Sequence, residues 1–185
     1  MTRSYVSPIR VLMLIVVAMT LLLAAETVVL ATSTTKTGKA VTAVKIVSDP
    51  YTSEPYASTT SHTWVAMPGM STTITVPANT KALLLITFSA ETRCAEQVDE
   101  TNAQCWVRAM VNSNAASPGE VVFDNAYEAW DIDSPWLGLE TNSMQFVAGP
   151  LNPGTYTVAM QFRTDYGSPL FVLESRTLSV LRSTV

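Results

Sequence analysis

The sequence predicts an all-β fold: an antiparallel β-sandwich of the jelly-roll type with about nine strands, preceded by an N-terminal hydrophobic signal helix. Three observations predict it. Apolar and polar residues alternate with a period of two nearly everywhere beyond residue 41. Turn sequences rich in Pro and Gly separate the alternating runs, and no helical period appears after residue 31. Many short strands separated by turns are typical of sandwiches and jelly rolls.

The first 31 residues have the composition of an export signal. Arg3 and Arg10 precede an apolar run, 11–31, in which Glu26 is the only charge, and the run closes on the small residue Ala31. The alternative is an uncleaved membrane anchor, because a helix of 21 residues spans roughly 30 Å. Glu26 disfavours that anchor, because a carboxylate inside the hydrocarbon core of a membrane is energetically costly. In both cases the rest of the chain is extracellular or on the cell surface, because the arginines hold the N-terminus inside.

Beyond the signal, residues 32–40 are small and polar and predict a flexible lead-in, and residues 41–185 predict one β-sandwich domain. The chain has 11 Lys and Arg against 15 Asp and Glu. The basic residues are scattered, so nucleic acid is not an expected partner. Contact with a membrane is expected only if residues 11–31 remain as an anchor.

The clearest strand is GTYTVAMQFRT, in which Tyr156, Val158, Met160 and Phe162 share one face. We expect these residues to be buried together with three alternate residues of an earlier strand, Leu84, Ile86 and Phe88. The other predicted strands cover 42–48, 61–67, 71–77, 81–91, 104–112, 119–124, 143–149 and 170–182. Turns are predicted at 67–69, 77–79, 117–119, 152–154 and 166–169.

The last predicted strand changes its apolar face. Phe171 and Leu173 have one parity, whereas Leu178 and Val180 have the other. A β-bulge across 174–176 would account for the change.

The only two cysteines, Cys94 and Cys105, stand at the end of one predicted strand and the start of the next. With the single histidine, His62, they are too few for a zinc site unless carboxylates are recruited. The spacing also differs from the C-x-x-C of redox pairs. In an exported protein we therefore expect a structural disulfide at the mouth of an antiparallel hairpin formed by 81–91 and 104–112.

The order ALLLITFSAETRC, a polar loop, CWVRAMVN, PGEVVFD, PLNPGTYTVAMQFRT and FVLESRTLSVLR covers roughly residues 81–182. It resembles a diffuse group of exported bacterial proteins of unknown function with C1q/TNF-like or phage-tail-like jelly rolls. The resemblance implies a β-sandwich used for assembly or adhesion, often as a homotrimer. The resemblance does not assign a functional role to any residue of this chain.

The densest aromatic and acidic segment is 123–140, which contains five candidate ligand-binding residues: Tyr127, Trp130, Asp131, Asp133 and Trp136. Aromatic faces stack on sugar rings and carboxylates accept sugar hydroxyls, while the Asp-x-Asp spacing also occurs in calcium loops. The alternative is that the tryptophans cap the core and the acids are solvated. We expect one of the two tryptophans to be buried and the other to be partly exposed.

No catalytic motif is present. His62 stands alone, without a nucleophile motif, and is read as a strand residue, and the glycines are isolated, so no phosphate-binding loop is predicted. We therefore predict a protein that is not an enzyme, needs no metal or cofactor, and acts by binding or assembly at a surface. The alternative is a carbohydrate-binding module that uses 123–140 to bind a glycan. A hydrolase of unrecognised type is a third hypothesis.

Overall fold

Antiparallel β-strands build the part of the chain that the structure, a computed structural model, describes: residues 37–49, 56–95, 104–125, 139–165 and 169–185. All of these residues belong to one compact unit, Lys36–Val185. In chain order the strands are β1 (Val41–Asp49), β2 (Ala57–Thr59), β3 (Val65–Val76), β4 (Ala82–Ala95), β5 (Gln104–Val111), β6 (Asn114–Ala115), β7 (Val121–Asn125), β8 (Glu140–Leu151), β9 (Gly154–Thr164) and β10 (Leu170–Thr184).

The strands form two sheets, and every strand pair is antiparallel. The first sheet has the order β1-β10-β4-β8, with β2 also paired to β10. The second has the order β3-β9-β5-β6, with β7 paired to β5. Most consecutive strands therefore lie in different sheets. The predicted antiparallel sandwich is confirmed.

The inward faces of β4 and β9 contribute to one core, as the alternation predicted. Val158, Met160 and Phe162 are buried, and Tyr156 packs against the same cluster while half-buried. The cluster also contains the three predicted partners from β4, Leu84, Ile86 and Phe88, each fully buried. The neighbours Ala159 and Gln161 are only partly buried, so the predicted register of β9 is confirmed.

The predicted bulge in the last strand is present in β10. Glu174 pairs with Glu91, but Thr177 pairs with Ser89, so β10 contains an extra residue here, and Ser175 has a positive φ of 43°. The extra residue also turns the side chain of Arg176 inward, where it is buried.

The predicted turn at 67–69 is wrong, because one continuous strand, β3, replaces the two strands expected at 61–67 and 71–77. Met67 and Met70 are both buried, while Pro68 and Gly69 bulge outward between them. A bulge accommodates a proline because no ladder hydrogen bond needs its missing N–H. The prediction of His62 as a strand residue is also wrong, since it lies in an exposed bend before β3.

Two short strands, β2 and β6, were not predicted, because runs of three and two residues carry no readable period. β2 pairs with the longer strand β10, and β6 pairs with the longer strand β5.

One end of the sandwich collects the ends of strands from both sheets. Ala95 pairs with Leu170 in the first sheet, and Gln104 pairs with Asn125 in the second. The strands that bound residues 96–103 and 126–138 therefore all end or begin here. The disulfide lies at this end as well.

The opposite end carries the first strand residue, Val41, and the C-terminus. The backbone N–H of Lys39 donates to Thr184 O at 2.8 Å, so the chain before β1 is tied to β10. The predicted export segment, 1–31, lies outside the described residues, as do residues 32–36 of the lead-in. Within the described ranges no helix is long and apolar enough to cross a membrane.

Candidate functional site

The five residues predicted to bind a ligand, Tyr127, Trp130, Asp131, Asp133 and Trp136, lie outside the described residues. Of the segment 123–140 that contains them, the structure describes residues 123–125 and 139–140. Phe123 is buried in the core with its ring centroid 5.3 Å from that of Phe88, so it is not available for stacking on a ligand. Asp124 belongs to a polar cluster between the two sheets.

Cys94 and Cys105 form a disulfide, as predicted, with Cα atoms 5.8 Å apart. The predicted hairpin is wrong. Cys94 is on β4, which pairs with β8 and β10, whereas Cys105 is on β5, which pairs with β6, β7 and β9. The disulfide therefore links the two sheets across the core. Hairpin partners would lie side by side in one sheet, but the chain crosses to the other sheet between these strands.

The polar cluster beside the disulfide consists of Thr92, Asp124 and Asn142, and we call it the Asp124 cluster. A bulge in β7 directs Asp124 inward, because Asp124 pairs with Cys105 while Val122 pairs with Trp106. Thr92 Oγ1 donates to Asp124 Oδ2 at 2.8 Å, and Asn142 Nδ2 donates to Thr92 Oγ1 at 2.9 Å. These bonds connect β4 and β8 of the first sheet to β7 of the second.

Burial raises the pKa of the Asp124 carboxyl above its ordinary value of 3.8, and the nearby charge of Glu140 adds to this effect. Hydrogen bonds from the Thr92 hydroxyl and from the backbone N–H groups of Asn125 and Cys94 oppose the rise. A perturbed carboxyl can mark an active site. Here the bonds from Thr92 and Cys94 come from β4 of the first sheet, and only the bond from Asn125 is local to β7, so the arrangement of the carboxyl is that of a cross-sheet clamp.

The second cluster lies on the outer face of the second sheet, and we call it the Trp–Arg surface. Its six residues come from four separate parts of the chain: Trp64, Trp106, Arg108, Glu120, Gln161 and Arg163. Trp106 and Arg108 alternate on β5 with the buried Cys105 and Val107, which directs the pair away from the core.

Register brings the β9 residues of the surface beside those of β5. Trp106 pairs with Arg163, and Arg108 pairs with Gln161. Trp64, just before β3, supplies an indole ring whose centroid is 4.3 Å from the guanidinium carbon of Arg108 and 5.1 Å from that of Arg163. The Arg163 guanidinium is also 4.9 Å from the Trp106 ring. The tryptophans and arginines thus make a continuous cation–π array.

Glu120, in the segment between β6 and β7, contacts this array through its carboxylate. Its Oε1 accepts a hydrogen bond from Trp64 Nε1 at 3.0 Å. The same oxygen lies 3.5 Å from Arg108 Nη1, and Oε2 lies 3.6 Å from Arg163 Nη2. Arg108 is oriented independently, because its Nε donates to Gln161 Oε1 at 2.8 Å.

Two indole rings, two guanidinium groups, an amide and a carboxylate on one sheet face can stack on a ring and hydrogen-bond its substituents. This surface was not predicted from the sequence. Alternation in CWVRAMV does place Trp106 and Arg108 on a common face opposite the buried residues, which was the available signal. The contributions of Trp64, Glu120 and Arg163 depend on pairing between distant strands.

Within the described ranges, no three His, Cys, Asp or Glu side chains are placed to hold a metal ion. Comparison with known protein families finds no match, and no curated protein is significantly similar to the chain. The two antiparallel sheets agree with the resemblance to exported sandwich proteins at the level of fold.

Proposed function

We propose that this protein is an exported β-sandwich, held together by a disulfide, that binds saccharides through the Trp–Arg surface and catalyses no reaction. The observation that carries the proposal is the array of Trp64, Arg108, Arg163 and Trp106 on the outer face of the second sheet, where each residue is partly exposed and the rings and guanidinium groups have cation–π spacing. Aromatic side chains provide large contact areas at low entropic cost, and arginines beside them provide directional hydrogen-bond donors. These features are frequent in binding hot spots.

The scaffold supports a binding role because it holds the surface rigidly. The array lies on paired strands of a sheet whose other face is buried in the core, so its side chains need little ordering when a ligand arrives. The disulfide supports export, because such bonds persist in oxidising compartments. The order β1-β10-β4-β8 facing β3-β9-β5-β7 supports the jelly-roll assignment.

A glycan array probed with the full chain, recovered from the exported compartment, tests the proposal. We expect Trp64→Ala to weaken binding by about 2 kcal/mol, roughly thirtyfold, as for other aromatic hot spots. The matched control is Ile46→Ala, which truncates an exposed apolar side chain on the first sheet. Absence of binding to every saccharide, or equal binding by wild type and Trp64→Ala, would refute the proposal.

Homo-oligomerisation is the second candidate, and a specific surface favours it. Val44 on β1, Leu181 on β10, Leu85 on β4 and Val147 on β8 are in register and form an apolar row across the outer face of the first sheet. Val44 is 52 % exposed and Leu85 is 37 % exposed. A second copy of the chain would cover such a row. Light scattering coupled to size-exclusion chromatography distinguishes a trimer from a monomer.

A further inference from the structure

We infer that the Trp–Arg surface takes a saccharide bearing a carboxylate, and that Glu120 occupies the place of that carboxylate in the free protein. This inference rests on the proposed function and narrows its ligand class to acidic sugars. It follows from how loosely Glu120 is held by groups that are otherwise well positioned for an anion.

The donors around Glu120 converge on one carboxylate. One of its oxygens faces Trp64 Nε1 and Arg108, and the other faces Arg163. Two cations and an indole N–H thus meet a single negative charge. Guanidinium groups are well suited to bind a carboxylate, and here two of them face one.

The contacts of Glu120 with the two arginines are long, although its hydrogen bond from Trp64 Nε1 has a normal length of 3.0 Å. Charge-assisted N–H···O bonds normally measure about 2.7 to 2.9 Å. The two arginine contacts of Glu120 measure 3.5 and 3.6 Å, whereas the neighbouring bond from Arg108 to Gln161 measures 2.8 Å. Arg108 is therefore held mainly by Gln161 of the neighbouring strand, and Glu120 does not saturate the two guanidinium groups.

The side chain of Glu120 is also more exposed to solvent than those of its arginine partners. The side chain of Glu120 is 45 % exposed, while those of Arg108 and Arg163 are 21 % and 18 % exposed. Ion pairs with an exposed partner contribute little, so displacing Glu120 into solvent costs little. A ligand carboxylate could replace it and leave the cation–π contacts of the arginines intact.

The indole rings favour a ligand that is larger than a simple anion and that carries a ring of its own. Arg163 lies between the rings of Trp64 and Trp106, at 5.1 and 4.9 Å from their centroids. A carboxylate at the arginines would therefore bring the ring that carries it against an indole. A pyranose ring with a carboxylate, as in a uronic or sialic acid, combines both features.

The test measures binding of a galacturonate trisaccharide and of sialyllactose by calorimetry, each beside its carboxyl-reduced counterpart, with the full chain. We expect at least one acid form to bind wild type tenfold or more tightly than its reduced form. Glu120→Gln should tighten binding of that acid form by up to about fivefold, because it removes the internal competitor but keeps an acceptor for Trp64.

Arg108→Gln should lose most of the preference for the acid form, while the matched control Arg182→Gln, an arginine of the first sheet, should retain it. Thermal melts show whether each variant is folded, and Glu120→Gln tests the inference even if Arg108→Gln does not fold. Equal binding of the acid and reduced forms, lost in Trp64→Ala, would overturn this inference and leave the proposed function standing. Weaker binding of the acid form by Glu120→Gln would also overturn it, as would failure of both acids to bind.

Discussion

Cys94 and Cys105 are joined across the core, from β4 in the first sheet to β5 in the second, with their Cα atoms 5.8 Å apart. The Asp124 cluster bridges the same sheets directly beside them. A covalent link and a hydrogen-bonded link thus close one end of the sandwich together. Residues 96–103 and 126–138 are attached to the strand ends that these links hold.

The first prediction concerns the disulfide. Replacing both cysteines, as in Cys94→Ala with Cys105→Ala, should lower the free energy of unfolding by about 3 kcal/mol, because the unfolded chain regains the freedom of a loop of about a dozen residues. Urea unfolding measures the change. Wild type treated with reductant should match the double variant, and intact mass after alkylation should show no free thiol in untreated protein. An unchanged unfolding midpoint would contradict the prediction.

The second prediction concerns pH. Because burial raises the pKa of Asp124 in the folded protein, the folded state retains its proton at pH values where the unfolded chain, at about 3.8, has lost it. The contribution of this group to stability is therefore greatest below pH 3.8 and falls as the pH rises through the raised pKa. Urea unfolding measured from pH 3 to 7 should show this slope.

Asp124→Asn should remove that slope, while Asp165→Asn, at a position just after β9, should keep it. A direct titration of the Asp124 carboxyl by NMR provides an independent measurement. A carboxyl that titrates below 3.8 in the folded protein would show that the hydrogen bonds from Thr92, Asn125 and Cys94 outweigh burial.

The third prediction concerns the buried arginine of the β10 bulge. Arg176 Nη2 donates to Asp49 Oδ2, and Nη1 donates to the carbonyl of Pro68 in the β3 bulge at 3.4 Å. Asp49→Asn should cost about 1 to 3 kcal/mol, because it leaves a guanidinium buried without its counter-charge.

Arg176→Met should cost less than Asp49→Asn, since Met fills similar space and leaves only the half-exposed Asp49, which water can solvate. Urea unfolding of the two variants gives the order directly. A larger loss for Arg176→Met would mean that the bond of the arginine to the β3 bulge matters more than the neutralisation of its charge.

The fourth prediction concerns Trp130 and Trp136, which lie outside the described residues. We expect one ring to be buried and the other to be partly exposed, because large aromatic side chains usually bury most of their area while a sugar platform needs an open face. Broadening of the two assigned indole N–H signals by a soluble paramagnet distinguishes them. If both rings are protected, segment 123–140 is not a sugar platform.

The sequence determined features that depend on neighbouring residues. The alternation in β9 predicted which residues enter the core, because side chains on a strand point to opposite faces in turn. The change of parity in β10 predicted its bulge for the same reason. The composition of the chain and its two cysteines predicted a disulfide without any knowledge of strand order.

Only the tertiary structure decided which strands are neighbours. Cys94 and Cys105 are separated by 11 positions, yet they belong to different sheets. Trp64 and Glu120 are separated by 56 positions, yet they share a hydrogen bond. Strand pairing is set by how all the apolar faces are buried together, so local periodicity does not contain it. The Trp–Arg surface exists because that pairing places β5 beside β9, with Trp64 and Glu120 at its margins.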